Sequence, residues 1–438
     1  MTIRRRGRTE SQPQERQIPL TTLDTAVRAS APTGADLADI ANTFGTPVWV
    51  YDAHLIRARV EQLQRFDVIR FAQKACSNVH ILRLMRELGI QVDAVSAGEL
   101  ERALVAGYAV GNGLDEIVFT ADLLDRPTLS RVLELGIPVN AGSPQMLEMV
   151  GAVSPQHPVW IRVNPGFGHG HSRKTNTGGE HSKHGIWHEN LSESLHLIDH
   201  YDLDLVGLHM HIGSGVDYSH LSRVCDAMVT QVTSLGRDIR AISAGGGLSV
   251  PYVHGEPEIN IDEYFRLWDS ARREIENHIG HSIRLEIEPG RFLVANSGSL
   301  IAEVRAHKDV GSHHFVLVDA GFNDLMRPAM YGSHHGVSAI SSSGEELTDN
   351  PAPSILAGPL CESGDVFSQD SNGDVTSIPL PRVAVGDYVV FHDTGAYGAS
   401  MSSNYNSRPL APEVLVDKGT VTQIRRRQTI DELLALEL

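Results

Sequence analysis

Ala241-Ile242-Ser243-Ala244-Gly245-Gly246-Gly247 is the stretch on which the fold turns. Its first four residues read as a short buried strand, which three glycines then stop. Glycines let backbone amides approach a phosphate without side-chain obstruction, although a glycine run alone is weak evidence. Its place in the chain says more. Six strand candidates precede it, Val68–Ala72, Val92–Ser96, Ile117–Ala121, Pro138–Ala141, Val159–Asn164 and Leu205–His211, and Arg284–Glu288 follows. Helical patterns separate them: Val79–Leu88, Gly98–Ala106, Leu129–Leu135, Pro144–Val150, Leu191–His200, Leu221–Leu235 and Ile261–His278. In the first of these, Ile81, Leu82, Met85 and Leu88 share one face. Strict alternation over eight strands predicts a (β/α)8 barrel. A doubly wound open sheet would carry its phosphate loop after the first strand. Here the glycines follow the seventh, where such barrels commonly hold phosphate.

After about residue 300 the pattern changes. Leu300–Arg305, Phe315–Asp319, Arg382–Ala384 and Tyr388–His392 read as strands joined by turns. The expected organisation is residues 1–47 as an N-terminal segment packed on a β-rich domain, 48–297 as the barrel, and 298–438 as the β-rich domain. Thr429-Ile430-Asp431-Glu432 is a capping box opening a short terminal helix, and Arg425-Arg426-Arg427 before it reads as a charged face. Lys and Arg number 37 against 54 Asp and Glu, a net −17, which argues against nucleic acid or an anionic membrane as partner. No apolar run reaches membrane-spanning length, and Arg4–Arg6 reads as a polar tail. The three scattered cysteines, Cys76, Cys225 and Cys361, fit a reducing cytoplasm better than a disulfide framework.

The chemistry gathers at strand ends. Phe71-Ala72-Gln73-Lys74-Ala75 sets a lysine just past the first strand, where it can form a Schiff base with an aldehyde if burial lowers its pKa; alone, it reads more readily as a surface lysine starting a loop. His209-Met210-His211-Ile212-Gly213-Ser214 closes the sixth strand with His211, able to lie flat on an aromatic ring, although core histidines also occupy such places. Ser214 follows within reach of a phosphate. Glu288-Pro289-Gly290-Arg291 closes the eighth: a carboxylate against a pyridine nitrogen keeps it protonated, and Arg291 can reach phosphate or carboxylate from the same turn. Lysine, histidine, glycine cradle and acid–arginine pair are the parts pyridoxal 5'-phosphate needs. From the β-rich part, Gly358–Asp365 brings Cys361 beside Glu362, a candidate general acid or a small buried hydrophobe, and Gly395–Ala399 brings the phenol of Tyr397. His169–Trp187 holds His169, His171, His181, Lys183 and His184 among glycines. No acid or cysteine completes a metal-ligand set there, so no metal is expected; a loop over the site's mouth is.

Taken together, FAQKACSN, HMHIGSG, SAGGGLSVPY, EPGRFLVANSG, GPLCESGDVF and GAYGASMSSNYNSRP resemble the signature set of the diaminopimelate decarboxylases. These are fold-type III pyridoxal phosphate enzymes of bacterial lysine biosynthesis, built on an alanine racemase-like (β/α)8 TIM barrel with a C-terminal β domain. The likeness covers nearly all the chain after about residue 40. One departure is Ala75-Cys76-Ser77-Asn78, where Ala-Asn-Ser-Asn is usual, which leaves the role of Cys76 open. The resemblance implies that Lys74 is the Schiff-base lysine, that His211 stacks on the ring, and that Glu288 pairs with the ring nitrogen. Ser214, Gly246, Gly247, Pro289, Gly290, Arg291 and Tyr397 would complete the cofactor site. Arg291, Arg327, Tyr331, Glu362 and Tyr397 would hold the substrate, meso-diaminopimelate, and Cys361 would be the proton donor. It also implies a homodimer with shared active sites, the Cys361–Glu362 segment reaching the partner's barrel. Three rival readings are weighed against these residues. A decarboxylase of ornithine or arginine leaves Arg327 without a carboxylate to bind. A non-catalytic regulatory homologue would lose Lys74, Cys361 or Tyr397, all of which are present. A racemase would carry an arginine in place of Glu288.

Overall fold

Eight parallel strands close into a ring: Val68–Ala72, Gln91–Ala94, Ile117–Ala121, Val139–Ala141, Pro158–Asn164, Asp204–His209, Ala241–Ser243 and Arg284–Ile287. Closure comes where Glu286 and Ile287 of the eighth strand pair with Val68 and Ile69 of the first. The computed structural model describes residues 32–438 except 112, 113, 169–176, 212, 214, 216, 254, 371 and 372. The predicted (β/α)8 barrel is therefore the observed one, with element ends shifted by a few residues where caps decide them. The helix expected from Leu129 begins at Arg126, because Asp125 accepts the Thr128 N–H and Pro127 suits a first turn. Helix Ala97–Ala106 starts under the Ser96 cap and stops at Gly107, whose φ of +100° suits a residue without Cβ.

The helices pack their apolar faces on the outside of the ring; Ile81, Leu82 and Met85 of Val79–Glu87 are fully buried. Inside the ring, branched apolar residues are the usual filling. This barrel instead buries Arg70, Asp93, Asn140, Arg162, His209, Ser243, Glu286 and Glu288. Arg70 and Glu286 form an ion pair at 2.7 Å with side chains 2% and 1% exposed. Because side chains on one strand face repeat every two residues, Glu288 stands one layer above Glu286, toward the carboxyl ends. A polar interior opening at that end sets up a site.

The second unit is a mixed sheet. Its main path runs through Glu346–Leu347, Val337–Ile340, Tyr388–Phe391, Gly298–Val310, Val48–Asp52, Glu413–Asp417 and Thr420–Arg425. His313–Val318 pairs with Gly298–Val310, and Ala352–Ala357 and Ile378–Leu380 extend from it. Three details differ from the sequence expectation. Val48–Asp52, assigned to the barrel segment, pairs antiparallel with Gly298–Val310 and parallel with Glu413–Asp417, so it is a strand of this sheet. Arg382–Ala384 is not a strand: the Ala384 N–H is taken by the Asp387 carboxylate around a turn at Gly386. The arginine run is also more than a charged face. Arg425 pairs with Glu413 at 2.9 Å, Arg426 pairs with Glu432, and Arg427 donates to the carbonyls of Thr46 and Pro47 at 3.1 and 3.0 Å. Helix Gly34–Phe44 lays Ala38, Ile40 and Ala41 on the same sheet. Among the described residues no helix is long and apolar enough to cross a membrane.

Candidate active site

A cavity of about 1140 Å³ opens at the carboxyl ends of the barrel strands. Its wall includes Lys74, Asp93, Arg162, His209, His211, Gly246, Gly247, Glu288, Gly290, Arg291, Arg327, Tyr331 and Tyr397. Most residues selected from the sequence therefore meet in one place. Lys74 sits in a short turn, Gln73–Ala75, immediately after the first strand, and is exposed to the cavity rather than buried as expected.

At the floor, Glu288 is held at both oxygens. His209 Nε2 lies 2.7 Å from Oε2, and Ser243 Oγ donates to Oε1 at 3.2 Å. Burial alone would raise this carboxyl, but His209, Arg70 and Arg162 outweigh it and hold Glu288 below the usual carboxylate range. Asp93, beside it, goes the other way: burial and the Glu288 charge push it well up. The two acids are thus pushed in opposite directions in one buried layer, the arrangement that separates charge-holding from neutral roles. His211 Nδ1 accepts the Gly246 N–H at 3.1 Å. Burial, then the charges of Arg162, Lys74 and His209, pull its pKa well below the ordinary value, so the ring is neutral with its proton on Nε2.

The glycine cradle is close-fitting. A Cβ on Gly246 would come within 2.6 Å of the Glu288 carbonyl oxygen, and one on Gly247, at φ +109°, within 2.4 Å of the Gly213 oxygen. Only bare backbone fits there, as close approach to a phosphate requires. Pro289 contributes through its backbone, accepting the Ala72 N–H at 3.2 Å, and is not on the cavity wall. Tyr397, at φ +58°, is anchored by its N–H to the carbonyl of Ala75, the residue next to Lys74 in the turn after the first strand. Ser214, His169 and His171 lie outside the described residues.

At the upper end, Arg291 NH1 donates to Tyr252 Oη at 2.7 Å, and the guanidiniums of Arg291 and Arg327 lie 5.7 and 4.7 Å from the Tyr252 ring centre. Arg291 also stacks on Tyr397 at 5.0 Å. Among the described residues, neither arginine has a carboxylate within ion-pair distance, although Arg327 is 5% exposed. Over the mouth, Thr177 Oγ1 donates to the His211 carbonyl at 3.0 Å, and His184 pairs with Asp122; Lys183 and His184 face the cavity.

Cys361 and Glu362 are not brought to this cavity within the chain. Both are exposed. Their turn is nevertheless rigid: Asp365 accepts the Leu360 and Phe322 N–H groups at 2.7 Å each, and Asn406 accepts the Cys361 N–H at 2.9 Å.

Sequence reading missed His209, Asp93, Arg162 and Tyr252. For the first three a signal existed. His209 lies two residues before His211 on the same strand face, and Asp93 and Arg162 are charges inside strands that a parallel barrel buries. Tyr252 lies in coil, where no periodicity points inward.

A ring of this topology, with a lysine, an acid held ionised, a neutral histidine and a bare glycine cradle at its carboxyl end, defines a pyridoxal-dependent decarboxylase. Residues 53–295 match the family described as "Pyridoxal-dependent decarboxylase, pyridoxal binding domain". The diaminopimelate decarboxylase of Streptomyces coelicolor is 70% identical over 405 residues, 92% of this chain and 92% of that protein. That of Escherichia coli K12 is 64% identical over 407 residues, 93% and 97%. A crystal structure of diaminopimelate decarboxylase superposes with a TM-score of 0.91 at 63% identity, covering 93% of this chain and 98% of that one. This chain belongs to the diaminopimelate decarboxylase family and is a carboxy-lyase.

Proposed function

We propose that this chain removes CO2 from meso-2,6-diaminopimelate to yield L-lysine, the last step of lysine biosynthesis, with pyridoxal 5'-phosphate as cofactor. The observation that carries the substrate reading is the pair of guanidiniums, Arg291 and Arg327, lining the Lys74–Glu288 cavity with no carboxylate of the described chain to neutralise them. Buried charge of that kind calls for an anionic ligand. Diaminopimelate keeps a second carboxylate far from the reacting carbon, which ornithine and arginine lack.

Bound pyridoxal phosphate supplies an electron sink at the carbon that loses CO2. Lys74 would hold the cofactor until the substrate amine takes its place. Glu288, held down by His209, would pair with the ring nitrogen and favour its proton there, and His211 would cover the ring and exclude water. Gly246, Gly247, Arg291 and Ser214 would bind the phosphate. Tyr397 and Tyr331 close the pocket, and Arg327 takes the distal carboxylate. Cys361 returns the proton to carbon, and Glu362 takes the distal ammonium. Because this pair stands exposed on a stiff turn, we assign it to the cavity of a second copy in a homodimer. Three cysteines without a disulfide support a cytoplasmic setting.

The test is CO2 release from cofactor-loaded protein offered meso-diaminopimelate, L-ornithine, L-arginine and L-lysine in parallel. Release from diaminopimelate alone, with L-lysine formed, is expected. Release chiefly from ornithine or arginine would discard the Arg327 account.

A further inference from the structure

Arg327 raises a question of its own. A guanidinium that must meet a substrate carboxylate has to be aimed, yet a protein carboxylate doing the aiming would neutralise it and compete with the substrate. The structure solves this with an imidazole. Arg327 NH1 lies 2.8 Å from His335 Nε2, and His335 Nδ1 lies 2.9 Å from the carbonyl oxygen of His392. A carbonyl can only accept, so Nδ1 carries the proton and Nε2 is left with a lone pair directed at Arg327. Burial, followed by the charge of Arg327, pushes His335 down to about 3, so the ring stays neutral throughout the working range.

The surroundings fix both partners. His335 packs edge-on against Tyr252 with ring centres 5.4 Å apart, and Tyr252 underlies the Arg327 guanidinium. Arg327 NH2 has a weaker contact with Ser333 Oγ at 3.3 Å. His392 is itself held by Ser338 Oγ on Nε2 at 2.8 Å, within the pairing of Val337–Ile340 with Tyr388–Phe391. The orientation of Arg327 is thereby referred back to the mixed sheet. His335 is not on the cavity wall and cannot touch the substrate.

We infer that His335 is a positioning residue for substrate specificity, a neutral hydrogen-bond acceptor that aims the Arg327 guanidinium at the substrate's distal carboxylate without spending its charge. The inference rests on the proposed reading of Arg327. It assigns a role to a side chain that neither the motifs nor the cavity wall singles out.

L-Lysine is a useful probe, because it retains the carboxylate that Arg327 would hold, whereas cadaverine has none. In holoenzyme, His335→Leu should raise the inhibition constant of L-lysine and the KM for meso-diaminopimelate by roughly 10- to 100-fold, the range of one hydrogen bond to a charged group. The constant for cadaverine and the visible absorbance of bound cofactor should not move, and kcat should fall less than KM rises. His335→Gln should recover most of the loss, since an amide can accept from Arg327 and donate to the His392 carbonyl. Should the leucine variant fail to fold, His335→Asn, polar but too short to reach Arg327, replaces it. Arg327→Leu run alongside separates the two ideas. If it weakens L-lysine while His335→Leu or His335→Asn does not, the positioning role is wrong and the Arg327 reading stands. If Arg327→Leu leaves L-lysine binding intact, the distal carboxylate sits elsewhere and both fall.

Discussion

At the strand ends, Glu288 is buried with one oxygen on His209 and the other on Ser243. At the Cys361 turn, thiol and carboxylate stand in solvent while the backbone beneath is pinned by Asp365 and Asn406. The first region satisfies its acid from its own chain and leaves its arginines for ligands. The second orders its backbone but leaves its chemistry without a counterpart, apart from a 3.5 Å contact from Tyr405 Oη to Glu362. Ordering a turn costs conformational entropy, so stiffness under exposed reactive groups points to a surface aimed at something outside the chain.

The sharpest way to break this contrast is to disable one region at a time. Lys74→Ala should abolish both turnover and the visible absorbance of bound cofactor; an absorbance that survives would mean another group holds the cofactor. Cys361→Ala should keep the absorbance yet lower kcat by about 10²–10⁴-fold, the usual worth of a general acid. Mixing the two inactive variants, with subunit exchange, should then restore about a quarter of wild-type activity, because half the dimers are mixed and each has one intact site. No recovery would place Cys361 outside any shared site.

Within the buried region the effects should be smaller and pH-dependent. His209→Leu removes the partner that holds the Glu288 carboxyl down, so the acid limb of kcat should move to higher pH with the cofactor still bound. An unmoved profile would show that Ser243, Arg70 and Arg162 suffice. The last effect concerns stability. His335 is neutral when folded and protonates at about 3, whereas an unfolded histidine protonates near 6.5. The unfolded chain therefore binds more protons as pH falls, and stability present above 6.5 is lost progressively toward 3. By pH 5 that loss is on the order of 2 kcal/mol, so wild type should lose more thermal stability between pH 7 and 5 than His335→Gln does.

How much of this could be read from the chain follows a physical divide. Barrel strands, their helices and Lys74, His211 and Glu288 were legible because short-range periodicity and the strand-end rule place them together. The mixed sheet was less so. Glu413–Asp417 and Thr420–Arg425 form a hairpin around Lys418-Gly419 that the reading passed over, and Arg382–Ala384 was taken for a strand although Pro381 and Gly386 flank it. Val48–Asp52 went to the wrong unit, the barrel, because its partners lie hundreds of residues away. The same holds for His335, whose meaning comes from two atoms on other elements rather than from its neighbours in sequence.

That early strand has a consequence for synthesis. Val-Trp-Val-Tyr-Asp at 48–52 is fully buried between Gly298–Val310 and Glu413–Asp417, both of which leave the ribosome after the whole barrel. At ~5–20 residues per second, roughly 12–50 s pass before even the first of them exists. For that interval the nascent chain carries an apolar strand with two open edges, ahead of a barrel that is still being made. It is the segment on which a chaperone, or a neighbouring copy, would act first.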